Sequence, residues 1–264
     1  MTDSKNTSRP WIDLSGRVAL VTGGASGIGS AAAIALASAG AAAIVTDYNL
    51  PGATSTAATI SEHGGSAYAR ELDVTSEAAW SDTAQWIERD FGRLDILVNS
   101  AGVALSDRVG DASLDVYRKI FAINTEGTLL GMATALRFMR QAGTGVIINL
   151  ASTASLKGNP SMASYGASKA AVAHFTRSAA LESVRAGHDI RINAIHPGLV
   201  ETAMAGDFYD IFKQLGTPDD VRSSFTSGRP ARPDEIADLI LYLSSDRASF
   251  ISGASITIDR AASA

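Results

Sequence analysis

The sequence predicts an α/β protein in which a mainly parallel β-sheet carries helices on both faces. Short runs rich in β-branched residues alternate with longer helical patterns, and a glycine-rich turn joins the first run to the first helix. The 264 residues are 46% hydrophobic, enough for one sizeable core. Because no repeat, low-complexity tract or linker divides the chain, we expect a single domain over residues 13–264, after a flexible N-terminal arm at 1–12.

Each predicted strand is a short run of this kind. The first, "RVALVT" at 17–22, leads into a helix from Gly27 to Ala39, and "AAIVTD" at 42–47 follows. The alternation continues along the chain, so parallel strands joined by right-handed crossovers are expected. The other strands are predicted at 66–72 ("SAYAREL"), 94–99 ("LDILVN"), 145–150 ("GVIINL"), 189–195 ("DIRINAI") and 254–259 ("ASITID"). The other helices are predicted near 52–63, 76–91, 112–140, 164–186 and 233–245.

Composition and charge exclude several classes of function. The net charge is −5 and charges of both signs are interspersed, which disfavours nucleic acid or an anionic membrane as a partner. Cysteine is absent, which excludes disulfides and thiolate chemistry, and the four histidines lack ligand-like spacing, so no metal is expected. The polar N-terminus, "MTDSKNTSRP", lacks the apolar core of a signal peptide, so a cytoplasmic protein is expected.

One uncharged stretch, residues 18–46, is long enough to span a membrane. Within this stretch, the seven residues 23–29 contain four glycines: Gly23, Gly24, Gly27 and Gly29. This density indicates a turn rather than a lipid-facing helix. A buried strand, turn, helix and second strand explain the missing charge better.

The turn "TGGASGIG" at 22–29 lies where the first strand leads into the first helix. Glycines there permit a tight turn and let a pyrophosphate approach the backbone, while the helix N-terminus offers N–H groups and a partial positive charge. The spacing Gly23-x3-Gly27-x-Gly29 differs from the commoner G-x-G-x-x-G fingerprint. In this strand–turn–helix context, it predicts a dinucleotide site.

Asp47 ends the second predicted strand, eighteen residues after Gly29. A carboxylate at this place can accept hydrogen bonds from both hydroxyls of an adenosine ribose, and it would repel a 2′-phosphate. No Arg or Lys lies between Arg17 and Asp47 to neutralise such a phosphate. Asp47 therefore predicts NAD rather than NADP as the cofactor.

The stretch "SYGASK" at 164–169 places Tyr165 four residues before Lys169, so both lie on one face of the predicted helix, one turn apart. Alone, this pattern is also typical of an exposed helix start. A phenol has a pKa near 10, and a neighbouring cation favours the phenolate, so the pair can equally be a general acid and the group that tunes it.

Taken together, the motifs resemble those of the short-chain dehydrogenase/reductase family over about residues 13–259. The matching segments are "TGGASGIG" (22–29), "DV" (73–74), "NSAG" (99–102), Asn124, Ser152, "YGASK" (165–169) and "PGLVET" (197–202). The resemblance implies a doubly wound Rossmann fold with a seven-stranded sheet in a single domain. It also implies an NAD(P)-dependent oxidoreductase acting on alcohols and ketones, assembled as a homotetramer or, less often, a dimer.

The resemblance also implies roles for the catalytic candidates. Tyr165 would be the general acid/base and Lys169 its electrostatic partner, which also contacts the nicotinamide ribose. Ser152 would hold the substrate oxygen. Without the resemblance, it would be interpreted as a serine that caps a turn. Asn124 would anchor a water near the lysine, and the alternative is a buried asparagine that satisfies backbone groups.

Further residues would contact the cofactor by the same resemblance. They are Gly23, Ser26, Gly27, Ile28, Gly29, Asp47, Tyr48, Asp73, Val74, Asn99, Ala101, Gly102, Tyr165, Lys169, Pro197, Gly198, Val200 and Thr202. The chain departs from the family pattern twice: Ser100 replaces a frequent second asparagine, and "DRAA" at 259–262 replaces Asp-Gly-Gly.

The segment at about 200–228 would cover the nicotinamide as a substrate lid. Apolar residues recur at helical spacing in it: Met204, Phe208, Ile211 and Leu215. The facing wall is expected from Ala104, Leu105, Leu156 and Met162, with Lys157 as the candidate charge; the substrate-contacting set is Ser152, Tyr165, Leu105, Leu156, Met204 and Phe208. Met204, Phe208, Ile211 and Leu215 form an apolar stripe on one helical face. If the stripe faces the pocket, it favours a bulky or cyclic apolar alcohol or ketone as the substrate. The alternative is that it packs on the domain or on a neighbouring subunit.

Two other functions compete with a dehydrogenase. The epimerase and dehydratase branch of the wider superfamily shares Tyr-x-x-x-Lys, but its G-x-x-G-x-x-G turn is not found here. A non-catalytic NAD(H)-binding sensor or scaffold on the same fold would have no need to retain Ser152, Tyr165 and Lys169 together.

Overall fold

A computed structural model describes residues 11–204 and 229–264 of the chain and contains a seven-stranded parallel sheet. The order β3-β2-β1-β4-β5-β6-β7 reverses direction at β1 and β4, as in a doubly wound Rossmann fold, so the predicted fold class is confirmed. The strands are β1 Val18–Thr22, β2 Ala42–Asp47, β3 Ser66–Glu71, β4 Ile96–Asn99, β5 Thr144–Leu150, β6 Asp189–Pro197 and β7 Ser255–Ile258.

Helices cover both faces of this sheet. One layer packs α1, α2 and α7 around one apolar cluster, and the other packs α3, α5 and α6 around a second. The helices of the described residues are α1 Gly27–Ser38, α2 Leu50–Glu62, α3 Glu77–Asp90, α4 Leu114–Phe121, α5 Gly127–Ala142, α6 Ala163–Arg185 and α7 Pro233–Ser244.

The central strands β1, β4 and β5 contain no charged residue and are mainly apolar because both of their faces are covered. In β1, Ala19 and Val21 face the α1 layer, while Val18 and Leu20 face the α3 layer. All five β1 residues are buried. The missing charge between residues 18 and 46 therefore reflects a core buried on two sides. None of the described helices is long and apolar enough to cross a membrane.

The helix predicted at 112–140 is interrupted in the structure. A 3₁₀ turn at Val109–Asp111 precedes α4, and a π-helical turn, Ala122–Glu126, separates α4 from α5. In the π turn, the hydroxyl of Thr128 donates to the carbonyl of Asn124 at 2.7 Å.

A buried amide network connects the strands with the second helix layer. The amide of Asn99 donates to the side-chain oxygen of Asn149 at 2.8 Å, and Asn149 donates to the hydroxyl of Thr176 at 2.9 Å. A Cβ on Gly131 of α5 would lie 2.3 Å from the side-chain oxygen of Asn99, so this helix approaches the network more closely than any residue with a Cβ allows. The network therefore fixes β4, β5, α5 and α6 relative to one another.

Parts of three expectations lie outside the described residues. They are most of the N-terminal arm (1–10), most of the lid (205–228) and the stripe residues beyond Met204, which include Phe208. At the described end of the arm, Trp11 stacks on Tyr242 of α7 with ring centroids 6.2 Å apart.

Candidate active site

The motif residues meet at the carboxyl edge of the sheet, where parallel strands all end on the same side. The ends of β4, β5 and β6 and the start of α1 border a cleft of about 250 Å³ there. Its described lining includes Ile28, Ser100, Gly102, Ser152, Tyr165, Lys169, Pro197, Gly198, Val200 and Thr202. This is the edge at which open α/β sheets bind ligands.

The glycine-rich turn packs too closely for side chains. A Cβ on Gly23, whose φ is +66°, would lie 2.8 Å from the backbone of Ala101, and one on Gly29 would lie 2.1 Å from the carbonyl oxygen of Gly23. The hydroxyl of Thr22 accepts from the backbone N–H groups of Ser100 and Ala101, each at 3.1 Å, and so joins this turn to the end of β4.

The N-terminus of α1 suits a phosphate group. The helix begins at Gly27 and has no acidic residue in its first turn, and Ser26 makes no capping bond with its side chain. Its first backbone N–H groups and its dipole therefore favour an anion. A Cβ on Gly27 would meet the methyl group of Thr202 at 3.0 Å, which places the "PGLVET" segment directly beside this helix end.

Asp47 ends β2 beside the same turn. One carboxylate oxygen accepts from the backbone N–H of Ala25 at 3.1 Å, and the other accepts from the N–H of Asn49 at 2.9 Å. The side chain is therefore held against the turn, and only 9% of the residue is exposed. The adjacent Tyr48 is 81% exposed. A carboxylate fixed at this place fits the ribose of a dinucleotide.

Other cofactor candidates have structural partners. Asp73 accepts from the N–H and the hydroxyl of Thr75 at 2.9 and 2.8 Å. Val74 is buried, and its carbonyl accepts from the indole N–H of Trp80 at 3.0 Å. The side-chain amide of Asn99 belongs to the buried network, and the residues after it, Ser100 and Gly102, line the cleft.

Tyr165 and Ser152 meet across the cleft. Both residues line it, and their side chains form a hydrogen bond. Burial raises the pKa of Tyr165, and the bond with Ser152 opposes that rise. The net direction is upward, whereas a neighbouring cation alone would lower the pKa. The phenol is therefore held in its protonated form in this structure.

Lys169 is a buried ammonium group. It is 5% exposed, its Nζ donates to the carbonyl of Leu150 at 2.8 Å, and this atom lies 6.0 Å from the ring centroid of Tyr165. Burial lowers the pKa of Lys169 to about 8. The predicted one-turn spacing thus brings the cation beside the phenol's ring.

Asn124 has backbone partners in the loop after β4. Its oxygen accepts from the N–H of Val103 at 2.8 Å, and its amide donates to the carbonyl of Val103 at 2.9 Å and to the hydroxyl of Ser168 at 3.1 Å. A Cβ on Gly102 would lie 3.2 Å from the Asn124 oxygen and 3.3 Å from the Lys169 Nζ. Asn124 is thus both a satisfied buried amide and a near neighbour of the lysine.

Sequence reasoning missed Asp107, which positions the start of α6. Its carboxylate accepts from the backbone N–H and from the hydroxyl of Ser164, the residue before Tyr165. Asp107 lies in the loop after β4, fifty-seven residues earlier in the chain. A carboxylate at a helix N-terminus also interacts favourably with the partial positive charge that the helix dipole places there. No local spacing signals such a distant cap.

The described substrate side of the cleft is mainly apolar. Met204 packs against a cluster of Ala104, Met162 and Tyr165. Three residues expected in the wall, Ala104, Leu105 and Leu156, are not among the described residues that line the cleft, and Phe208 falls in the undescribed segment.

The C-terminal segment closes one end of the cleft. The Nζ of Lys157 donates to the carbonyl of Ala262 at 2.7 Å, and both residues line the cleft. Arg260 and Ala261, which stand where the family has glycines, adopt positive φ values of 53° and 66°. The Asp259 carboxylate holds this turn by accepting from the N–H of Ala261 at 3.1 Å.

The buried lysine predicts a pH-dependent stability. Its pKa of about 8 lies below the ordinary 10.5, so the unfolded chain binds more protons between these pH values and raising the pH across them favours folding. We expect Lys169→Met to be more stable than wild type at about pH 6.5. The difference in unfolding free energy should shrink by about 2 kcal/mol at pH 9.5.

Denaturant titrations at the two pH values measure this difference. Lys157→Met is the matched control, because it makes the same replacement at an exposed lysine. A stability difference for Lys169→Met that does not change with pH would contradict the interpretation.

Comparisons with known proteins identify relatives along nearly the whole chain. A family model described as enoyl-(acyl carrier protein) reductase matches residues 23–261. The cyclopentanol dehydrogenase of Comamonas testosteroni is 37% identical over 246 residues, which are 92% of this chain and 95% of that protein. The cis-4-hydroxycyclohexanecarboxylate dehydrogenase of Sinomonas cyclohexanicum is 39% identical over 92% of this chain and 95% of its own length.

A third relative, the NADP-dependent (R)-specific alcohol dehydrogenase of Lentilactobacillus kefiri, is 32% identical over 93% of this chain and 96% of its own length. A solved structure of a short-chain type dehydrogenase/reductase from Mycobacterium marinum superposes with a TM-score of 0.86 at 33% identity, covering 95% of this chain and 96% of that one. With the fold, the cleft and these relatives in agreement, the chain belongs to the short-chain dehydrogenase/reductase family of oxidoreductases.

Proposed function

We propose that this protein is an NAD-dependent dehydrogenase that interconverts a secondary alcohol and its ketone. The observation that carries the proposal is the meeting of Ser152, Tyr165 and Lys169 in one cleft, beside a glycine-rich turn with no room for side chains. When bound, the nicotinamide would supply the hydride acceptor or donor. The glycine-rich turn, the N-terminus of α1 and Asp47 would hold this cofactor.

Tyr165 would exchange the proton of the substrate oxygen. Its phenol is buried and held protonated, so it can donate to the oxygen of a ketone as that oxygen gains negative charge. Ser152 would hold the same oxygen, because its side chain already contacts Tyr165 across the cleft. In the oxidative direction Tyr165 would accept the proton, for which a nearby cation is needed.

Lys169 would supply that cation. Its Nζ lies 6.0 Å from the Tyr165 ring in a buried environment, where an attractive charge interaction is stronger than in water. Asn124, whose oxygen lies close to the Lys169 Nζ across Gly102, would help to pass a proton from this region to water.

The alternative is an NAD(H)-binding sensor or scaffold, which would bind the cofactor without turnover.

Tyr165→Phe tests the catalytic role directly. The variant removes the phenol oxygen and keeps the ring, so we expect kcat to fall by roughly 10² to 10⁴ while NADH binding is retained. The measurements are steady-state kinetics and a titration of NADH fluorescence. Tyr117→Phe, on the exposed face of α4, is the control and should keep full activity. A loss below about tenfold would exclude Tyr165 as the acid/base, and a wild type that binds NADH but turns over no alcohol or ketone would favour the sensor.

Asp47 supports NAD over NADP. The carboxylate is held at 9% exposure beside the turn, where an unneutralised charge would repel a 2′-phosphate. The Lentilactobacillus relative, at 32% identity, is by its name NADP-dependent, so the proposed preference of this chain for NAD rests on Asp47.

We expect kcat/KM for NAD to exceed that for NADP by at least about tenfold, which corresponds to 1.4 kcal/mol. Asp47→Ser combined with Tyr48→Arg removes the repelling charge and adds a cation, so it should move the preference towards NADP. Tyr48→Arg alone is the control for the added cation. Equal kcat/KM values for the two cofactors in the wild type would contradict the role of Asp47.

The cleft supports an apolar cyclic substrate. Met204, Met162 and Ala104 form an apolar cluster against Tyr165, and relatives include a cyclopentanol dehydrogenase. Lys157 is a second cation at the cleft, and it would pair with a substrate carboxylate of the kind that the Sinomonas relative's name implies. Burying one aliphatic ring would contribute about 2 kcal/mol.

A substrate panel tests this proposal. We expect kcat/KM for cyclopentanol or cyclohexanol to exceed that for a sugar alcohol by at least about tenfold, since the apolar wall cannot satisfy extra hydroxyls. Met204→Ala should narrow this difference, whereas Leu181→Ala, exposed on α6, should not. Lys157→Met should lower activity only towards 4-hydroxycyclohexanecarboxylate if a carboxylate is recognised. A preference for sugar alcohols would overturn the apolar assignment.

Assembly remains a prediction from the family. Apolar side chains exposed on α4 and α5 support a homotetramer or dimer; they are Leu114, Tyr117 and Leu129.

A further inference from the structure

We infer that His196 is a positioning residue that, together with Ser155, holds the backbone carbonyl of Ser152 and so keeps the Ser152 hydroxyl directed at Tyr165. The inference rests on the proposed function for its effect on turnover. It concerns a buried histidine that neither the proton transfer nor the cofactor site uses.

Ser152 lies just beyond the support of the sheet. The β5–β6 pairing ends with Leu150 opposite Ile195, and the last backbone bond runs from the N–H of Ala151 to Ile195. No strand therefore holds the Ser152 carbonyl. Something else must fix this peptide if the hydroxyl is to keep one direction.

His196 reaches this peptide from the part of β6 that extends past β5. It pairs there with Thr257 of β7 and is fully buried. Its Nδ1 lies 3.0 Å from the Ser152 carbonyl oxygen and 3.0 Å from the Ser155 hydroxyl. A carbonyl oxygen only accepts hydrogen bonds, so the Nδ1 atom must carry the proton.

Ser155 completes the arrangement. Its hydroxyl donates to the Ser152 carbonyl at 2.6 Å, and its backbone N–H donates to the same oxygen at 3.0 Å. Because the hydroxyl proton is used there, Ser155 cannot also donate it to His196, which again assigns the proton to Nδ1. A second connection, from the Thr153 hydroxyl to the Pro197 carbonyl at 3.3 Å, ties the same loop to the end of β6.

The histidine is held neutral in this position. Burial lowers its pKa, and its Nε2 is buried with no hydrogen-bond partner among the described residues. The neutral ring with its proton on Nδ1 therefore donates one hydrogen bond, to the loop that carries Ser152. Misdirecting a group that contacts the substrate by about 1 Å can cost 10²-fold in rate.

Two amide variants separate positioning from space filling. In His196→Asn the side-chain NH₂ takes nearly the place of Nδ1 and can still donate to Ser152, whereas in His196→Gln the amide lies nearer the place of Nε2. We expect His196→Gln to lower kcat by about ten- to a hundredfold with unchanged NADH affinity, and His196→Asn to recover most of that loss. Ser155→Ala should lose less, because the Ser155 backbone N–H still supports the carbonyl.

The measurements are kcat, KM, NADH affinity and thermal midpoint on the full chain. Equal kcat for His196→Gln and wild type, or equal losses in the Asn and Gln variants at matched thermal midpoints, would overturn the inference. A wild type with no turnover would instead overturn the proposed dehydrogenase.

A spectroscopic test stands independently of turnover. With ¹⁵N-labelled histidine the chain contributes only four imidazoles, and the His196 signals are identified by their loss in His196→Asn. The inference requires the tautomer protonated at Nδ1, and a ring protonated at Nε2 near neutral pH would overturn it.

Discussion

The need to bury a charged lysine organises this protein's cleft. An ammonium group taken out of water requires hydrogen-bond acceptors, and Lys169 donates to the carbonyl of Leu150 at the end of β5. Seven residues later on the same face of α6, Thr176 accepts from Asn149, the neighbour of Leu150. Adjacent residues of one strand thus hold two points of one helix that are two turns apart. This pair of contacts sets the helix, and with it Tyr165, against the edge of the sheet.

The remaining polar contacts add to this frame from other strands. The amide network extends it to β4 through Asn99, and the loop after β4 carries Asp107, which caps the start of α6. Residues that look merely structural therefore determine where the phenol lies. The low dielectric that makes Lys169 costly to bury also strengthens its effect on neighbouring groups. At Lys169, therefore, the buried charge that acts on neighbouring groups also lowers the stability of the folded protein.

The central strands β1, β4 and β5 could be predicted from the sequence because both of their faces are buried, so they stand out as uncharged, mainly apolar runs. The Tyr165–Lys169 pair could be read because both lie on one helix, where spacing fixes proximity. Other partners are far apart in the chain: Thr22 contacts a loop seventy-eight residues away, and His196 contacts Ser155 across forty-one. No local sequence pattern marks these residues, so their contacts can be recognised only in the folded structure. The 112–140 segment shows the converse limit, since its periodic pattern continues through a turn of different pitch.

That π-helical turn has a consequence for how the chain can change in length. Deleting one residue from an ordinary α-helix rotates everything after it by about 100°. A π turn already accommodates one extra residue, so removing one within Ala122–Glu126 would return the segment to α-helical pitch and leave both flanks in place. The side chain given up would be one from the turn that carries Asn124. A single-residue deletion at this point can therefore withdraw a polar group beside Lys169 without repacking the helical layer.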